Sequence, residues 1–119
     1  MEFLFDNERP IYLQLVEQLR IAIVSGAFLP GARLPSVREL ALTAKVNPNT
    51  MQKALCELEG EGLVLTERTN GKFVTTDLAL LQRAKDTLAK QYTAHFFDEM
   101  ARLGFDRASA VDYLQSDLN

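Results

Sequence analysis

Between Pro35 and Leu58 the sequence ends one helix and begins another with almost nothing between them, and no other stretch restricts the fold as much. Ser36 followed three residues later by Glu39 is a capping box, in which the hydroxyl accepts a backbone N–H of the first turn. Val37, Leu40, Ala41 and Ala44 then recur at helical spacing and supply one buried stripe, so a short helix runs from Ser36 to about Lys45. Asn47 reads as a second N-cap, Pro48 is preset for a first helical turn, and Val46 can staple against Met51. With Lys45 and Val46 alone left to turn the chain, the two helices form a helix-turn-helix.

The flanking residues complete a recognisable order. Met51, Leu55 and Leu58 place one side of the later helix in a core and turn Asn49, Gln52, Lys53 and Cys56 to the other, until Gly60 and Gly62 end it. Upstream, Pro10 suits a first helical turn, Tyr12, Val16, Leu19 and Ile23 follow on one face, and Ser25-Gly26 closes that helix. Pro30-Gly31 reads as a turn, and Ala32-Arg33-Leu34 is a short extended piece closed by Pro35. Downstream, Leu63 to Arg68 and Lys72 to Thr75 are strand-like runs around Asn70-Gly71, a hairpin-turn signal. The expected order is helix, strand piece, helix, helix, hairpin.

From Leu78 the pattern becomes a long helix carrying Leu81, Leu88, Tyr92, Phe96, Met100 and Leu103, followed by a short one capped by Asp106 and carrying Ala110, Val111, Leu114 and Leu118. The fold class predicted is mainly α with a small β-hairpin wing: a winged helix-turn-helix over 1–77 and a two-helix C-terminal α-helical dimerisation segment over 78–119. One short terminal helix cannot cover a stripe this long, whereas a twin across a twofold axis can, so the stripe from Leu81 to Leu103 is the expected homodimer interface. About forty residues in two helices leave too few walls for a small-molecule pocket of ~300 to 1,000 Å³, and no residue points to a particular effector.

The side chains at the start of the later helix suit a DNA reader. Asn and Gln bond bidentately to adenine, Thr serves base or phosphate, and Lys neutralises phosphate or reaches guanine, which nominates Asn47, Asn49, Thr50, Gln52 and Lys53. A formal net charge of −3 runs against phosphate binding, and Arg33, Arg38, Lys45, Lys53, Arg68 and Lys72 are offset by Glu39, Glu57, Glu59, Glu61 and Glu67. A usable patch therefore requires the fold to sort these charges onto different faces. A winged helix that binds another protein instead of DNA is the alternative, and the acidic total favours it.

Other classes fit poorly. There is no Gly-rich phosphate loop, no Ser/His/Asp or Cys/His set and no carboxylate pair, so the chain is read as no enzyme and as needing no cofactor. One cysteine, Cys56, and one histidine allow neither an internal disulfide nor a structural zinc site, and Cys56 has no neighbour that clearly activates its thiol. His95, Asp98 and Glu99 share a helical face, but three ligands on one helix rarely complete a metal shell, so no metal is expected. No apolar run reaches the roughly 18 residues of a membrane span, and the acidic opening Met-Glu-Phe-Leu-Phe-Asp is unlike a secretory signal. The expectation is a soluble cytoplasmic protein with no membrane partner.

Five ordered blocks carry a family resemblance: Pro10-Ile11-Tyr12, Gly31 through Ala41, Val46 through Leu55, Leu58 through Val64, and Gly71-Lys72-Phe73-Val74. In these blocks the chain resembles the GntR family of bacterial winged-helix regulators, and its short helical tail resembles the YtrA-like branch. The resemblance implies a regulator, commonly a repressor, that binds a double-stranded DNA operator as a dimer. It implies a DNA contact at Arg38, a major-groove role for Asn47, Asn49, Thr50 and Gln52, and a minor-groove wing formed by Arg68, Thr69, Asn70, Gly71 and Lys72. Ser36 is a further candidate contact, and Arg33, before Leu34-Pro35, can equally bind phosphate or pair with a nearby carboxylate. Thr69 stands where the family commonly has a glycine, a residue that permits positive φ.

Overall fold

The computed structural model describes residues 1–118. The elements run α1 (Ile11–Val24), α2 (Val37–Ala44), α3 (Pro48–Gly60), β1 (Val64–Glu67), β2 (Gly71–Val74), α4 (Leu78–Arg102) and α5 (Arg107–Leu118). The expected order and the mainly helical class with a hairpin wing are both present. No helix among the described residues is long and apolar enough to cross a membrane.

The chain divides into two compact units, Met1–Lys85 and Asp86–Asn119. The division falls after Lys85, where the sequence pattern suggested Asp77, because the first two turns of α4 belong to the amino-terminal core. Leu81 is buried there, with Leu80 and Ala84 packed beside it. Leu81, expected on a dimer face, is thus enclosed by its own domain.

That core is built around α3. Met51, Ala54, Leu55 and Leu58 are wholly enclosed, met by Leu15, Leu19 and Ile23 of α1, Leu40, Ala41 and Ala44 of α2, and Leu63, Val64 and Val74 of the hairpin. At roughly 1.5 to 3 kcal/mol for each fully buried aliphatic side chain, this layer fixes α3 more firmly than any polar contact could. Ahead of α1, Phe3 and Phe5 lie alternately on the core with ring centroids 6.0 Å apart. The arm is tied down by two glutamines one turn apart. Gln18 accepts from the Leu4 N–H at 3.0 Å and donates to the Leu4 carbonyl at 2.6 Å. Gln14, buried, accepts from the Asp6 N–H at 2.9 Å and donates to the carbonyls of Asp6 and Arg9 at 3.0 and 2.7 Å. Pro10 sits just outside α1 as its N-cap, one position earlier than a first-turn residue.

The hairpin is antiparallel, with Val64 opposite Val74 and Glu67 opposite Gly71. Its loop is therefore Arg68-Thr69-Asn70, three residues long, and not the two-residue Asn70-Gly71 turn that the dipeptide suggested. Gly71 takes the positive φ such a loop requires, +97°, while Thr69 and Asn70 do not. The threonine in place of the family's glycine therefore meets no backbone penalty here. Ala32 to Leu34 lies along β2, with Leu34 N–H donating to the Lys72 carbonyl at 2.8 Å and Val74 N–H to the Ala32 carbonyl at 2.9 Å.

Lys45 closes α2 in the left-handed region, at φ 58° and ψ 44°, and is the one described non-glycine residue with positive φ. This bend lets the Val46 N–H reach back to the Ala41 carbonyl at 3.0 Å and aims the chain at α3. A side chain in this conformation costs about 1 to 2 kcal/mol, and glycine's extra unfolded-state entropy about 0.5 to 1. Lys45→Gly should therefore stabilise the fold by about 0.5 to 1 kcal/mol in a denaturant titration, and a variant weaker than the parent would show that the lysine side chain contributes packing.

In the second unit, Ala110 is the one buried side chain among the described residues. Phe96 and Phe97 meet edge to face at 5.3 Å, Phe105 and Tyr113 at 5.6 Å, and the Arg107 guanidinium lies 4.5 Å above the Phe97 ring. Leu88, Phe96 and Met100 are half-buried, whereas Tyr92 and Leu103 are 59% and 74% exposed. Asp106 caps α5 by accepting the Ser109 N–H and hydroxyl at 2.8 Å, and these bonds hold its carboxyl below the usual carboxylate range.

Candidate nucleic-acid interface

The surface opposite the buried stripe of α3 is polar and open. Asn49, Gln52, Lys53 and Cys56 are exposed and Thr50 is half-buried. They face outward because the other side of the helix is committed to Met51, Ala54, Leu55 and Leu58. Asn47 starts the helix by accepting the Asn49 N–H at 2.7 Å, so its carbonyl oxygen is engaged and its amide N–H₂ remains the group free to donate. The Gln52 amide donates to Cys56 Sγ at 3.5 Å, a weak contact that a better acceptor displaces.

Ser36 performs the same service for α2, accepting the Glu39 N–H at 3.1 Å. As an exposed residue it keeps its own hydroxyl proton for an outside acceptor. An open groove of about 730 Å³ runs between this helix start and the wing, lined in part by Arg33, Ser36, Arg68, Thr69 and Gly71. Arg33 lies across Gly71, where a Cβ on the glycine would stand 3.4 Å from Arg33 Nε in ordinary van der Waals contact. It is the positive φ of the turn, not room for the arginine, that calls for glycine here.

The charges are sorted in part: Glu59 and Glu61 are taken up by cations, while Glu57 is exposed and Glu39 and Glu67 line the same groove as Arg33 and Arg68. Among the described residues Arg33, Arg38, Lys45, Lys53 and Arg68 form no salt bridge, and all five are exposed. Arg9 pairs with Glu17 and Arg102 with Glu99, and two cations packed against α3 are also held by carboxylates. Arg20 meets Glu61 in a two-bonded pair at 2.8 and 2.5 Å, which also raises the arginine's pKa. Lys72 pairs with Glu59 and donates to Thr66 Oγ at 2.9 Å. Lys72, nominated as a wing contact, is thus turned inward and bonded to the protein itself. The hydrogen bonds from Lys72 and Thr66 lower the Glu59 pKa, so this carboxylate stays ionised. Sequence reasoning missed Glu59 and Thr66, since their meeting with Lys72 depends on how the hairpin folds back on α3.

In the second unit, Asp86, Ala89, Lys90, Phe97, Asp98 and Arg107 line part of an open groove of about 460 Å³. An open hollow of this kind is not the enclosed small-molecule pocket that this segment was expected to lack. It is a furrow along α4 rather than an enclosed chamber. His95 is exposed, and Glu99 pairs with Arg102 at 3.3 Å.

The sequence pattern described as bacterial regulatory proteins, gntR family, matches residues 11–74, more than half of the chain. The chain is 35% identical over 116 residues to the HTH-type transcriptional regulator YhcF of Bacillus subtilis, covering 98% of this chain and 96% of that protein. It is 37% identical over 100 residues to the HTH-type transcriptional repressor YtrA of the same organism, covering 84% and 72%. Among solved structures it resembles a GntR family transcriptional regulator from Listeria monocytogenes, with TM-score 0.87, 38% identity and coverage of 94% of this chain and 98% of that one. It also resembles the DNA-binding domain of AraR in complex with operator ORX1, with TM-score 0.57, 30% identity and coverage of 63% and 96%.

Proposed function

The chain belongs to the GntR family of bacterial transcription regulators, and from that premise we propose that it binds a palindromic DNA operator as a homodimer and represses transcription there. The observation that carries the reading is the sorting of charge. Arg33, Arg38, Lys45, Lys53 and Arg68 are exposed and unpaired, while Glu59 and Glu61 are bound to Lys72 and Arg20. A net charge of −3 is therefore compatible with a cationic face that meets phosphate. In this reading Asn49 and Gln52 read base edges in the major groove, with Asn47 and Thr50 beside them. Arg38 and Lys53 bind phosphate, and Arg33, Ser36 and the Arg68-Thr69-Asn70-Gly71 tip follow the backbone beside the wing.

Pairing draws support from the second unit, where among the described residues a single one is buried and Tyr92, Leu103, Tyr113 and Leu118 are exposed. An apolar surface of this kind is stable when a copy covers it, and a twofold pair of recognition helices calls for a palindrome. A repressor acting this way needs only to occupy its site. The resemblance to YtrA, named a repressor, favours that sign of regulation.

Selection of bound duplexes from a random pool tests the reading directly. Two half-sites in inverted repeat should emerge, and binding should weaken steeply with salt. Arg38→Ala and Lys53→Ala should each lower the slope of log affinity against log salt by about one unit. Asn49→Ala and Gln52→Ala should instead flatten base preference by roughly 1 to 3 kcal/mol at single positions. A pool with no enriched duplex, or salt-insensitive capture of a protein partner, would replace the operator reading with the protein-interaction one.

A further inference from the structure

We propose that Glu59, Thr66 and Lys72 are positioning residues of the DNA interface, which lock the wing to the recognition helix, and that Lys72 is not itself a phosphate contact. The inference rests on the DNA-binding reading above and assigns these three residues a task within it.

The geometry is a closed three-membered set. Thr66 and Lys72 stand opposite each other across the hairpin. Lys72 Nζ donates to Glu59 Oε1 and, at 2.9 Å, to Thr66 Oγ. Thr66 Oγ donates to the same Glu59 oxygen at 2.7 Å. One carboxylate of α3 therefore gathers both strands. The Lys72 side chain is 14% exposed and that of Glu59 30%, whereas Arg68 is exposed. A lysine enclosed to this degree would have to break two bonds and leave Glu59 unpaired before it could reach a phosphate.

The position of the set gives it consequence. Two four-residue strands are marginal alone, and Val64 and Val74 anchor the end of the hairpin away from its loop. Lys72 directly follows Gly71, at the start of β2, so its bonds to Glu59 and Thr66 tie down the end nearest the tip. Arg68, Thr69 and Asn70 project from the tied portion, and their placement relative to Asn49 and Gln52 depends on it. Glu59 lies on the last turn of α3, which makes the recognition helix the reference frame for the wing.

The test compares the parent with Lys72→Met, Glu59→Lys, Lys72→Glu and the reversed double variant Glu59→Lys with Lys72→Glu, all on the duplex the parent itself selects. Lys72→Met should weaken binding about 3- to 10-fold and leave the salt slope unchanged, because no phosphate contact is lost. Each single reversal should weaken it by about tenfold or more, and the double should return to within about threefold of the parent. A slope lower by about one unit in Lys72→Met would overturn the assignment, as would a double variant no better than Lys72→Glu alone. Amide exchange in the free protein supplies a readout independent of DNA. Exchange at Phe73, whose N–H belongs to the ladder with Leu65, should speed up about tenfold in Glu59→Lys and recover in the double, and unchanged exchange would equally overturn the proposal. A parent chain that selects no duplex would defeat the DNA reading instead, a failure visible in the parent and separate from that of the variants.

Discussion

A chain ending at Lys85 should fold, remain monomeric and bind a full palindrome about 10² to 10⁴-fold more weakly than the whole chain, close to its affinity for one half-site. The expectation follows from where the core stops. Every residue of the amino-terminal core, Leu81 included, lies before Asp86, so nothing the domain needs for stability is lost. What disappears is the segment bearing Tyr92, Phe96, Met100 and Leu103, and with it, on the proposed homodimer, the link that would make two weak half-site encounters effectively one event. Sedimentation of both chains, with titration on full and half sites, decides the matter. A shortened chain that still pairs and holds the full site as tightly would place the pairing surface in the amino-terminal unit. The endpoint matters, because a chain cut at Asp77 would also lose Leu80, Leu81 and Ala84 from its core and would fail for a different reason.

Leu81→Ala should lower stability by roughly 2 to 5 kcal/mol without altering the dimer interface, whereas Leu103→Ala should do the reverse. Leu81 is 7% exposed inside the amino-terminal unit, and Leu103 is 74% exposed in the other. For a domain of this size each kcal/mol moves the thermal midpoint by about 4 to 8 °C, so the first variant should melt at least ten degrees or so below the parent at equal protein concentration. The second should keep the parent's monomer stability and raise the dimer dissociation constant in sedimentation. A Leu81→Ala protein with an unchanged midpoint and impaired pairing would return that leucine to the interface.

These two leucines also mark the boundary of what the sequence makes legible. Both sit at helical spacing on one long amphipathic run, and a stripe does not say whether its cover comes from its own domain or a copy. The helix starts were readable because caps are local: Ser36 with Glu39, and Asn47 with Pro48, act within one turn of where they stand. The outward face of α3 was readable for the same reason, as the complement of Met51, Leu55 and Leu58. Lys72 was not. Its partner Glu59 is thirteen residues away in sequence and arrives only when the hairpin folds back on the helix, so the chain shows a wing lysine and hides its bond. Asn70-Gly71 misled by a different route, since the dipeptide favours a two-residue turn while the pairing of Val64 with Val74 sets a longer loop. Gln14 and Gln18 went unread because a glutamine on a helix usually signals solvent, and Phe3-Leu4-Phe5 is an unbroken apolar run that does not show which side packs.

That pair of glutamines has a consequence for how freely the chain can vary. Gln14 and Gln18 hold the arm by its main-chain N–H and carbonyl groups at Leu4, Asp6 and Arg9, which nearly every amino acid supplies alike. The grip is blind to the side chains it passes. Leu4, exposed and with no side-chain bond, can therefore drift through most of the amino-acid alphabet while the arm keeps its course, provided aromatic rings remain at Phe3 and Phe5, whereas Asp6 also accepts the Glu8 N–H with its carboxylate at 3.0 Å. The letter excluded at positions 4 and 6 is proline, which has no N–H for a glutamine to meet.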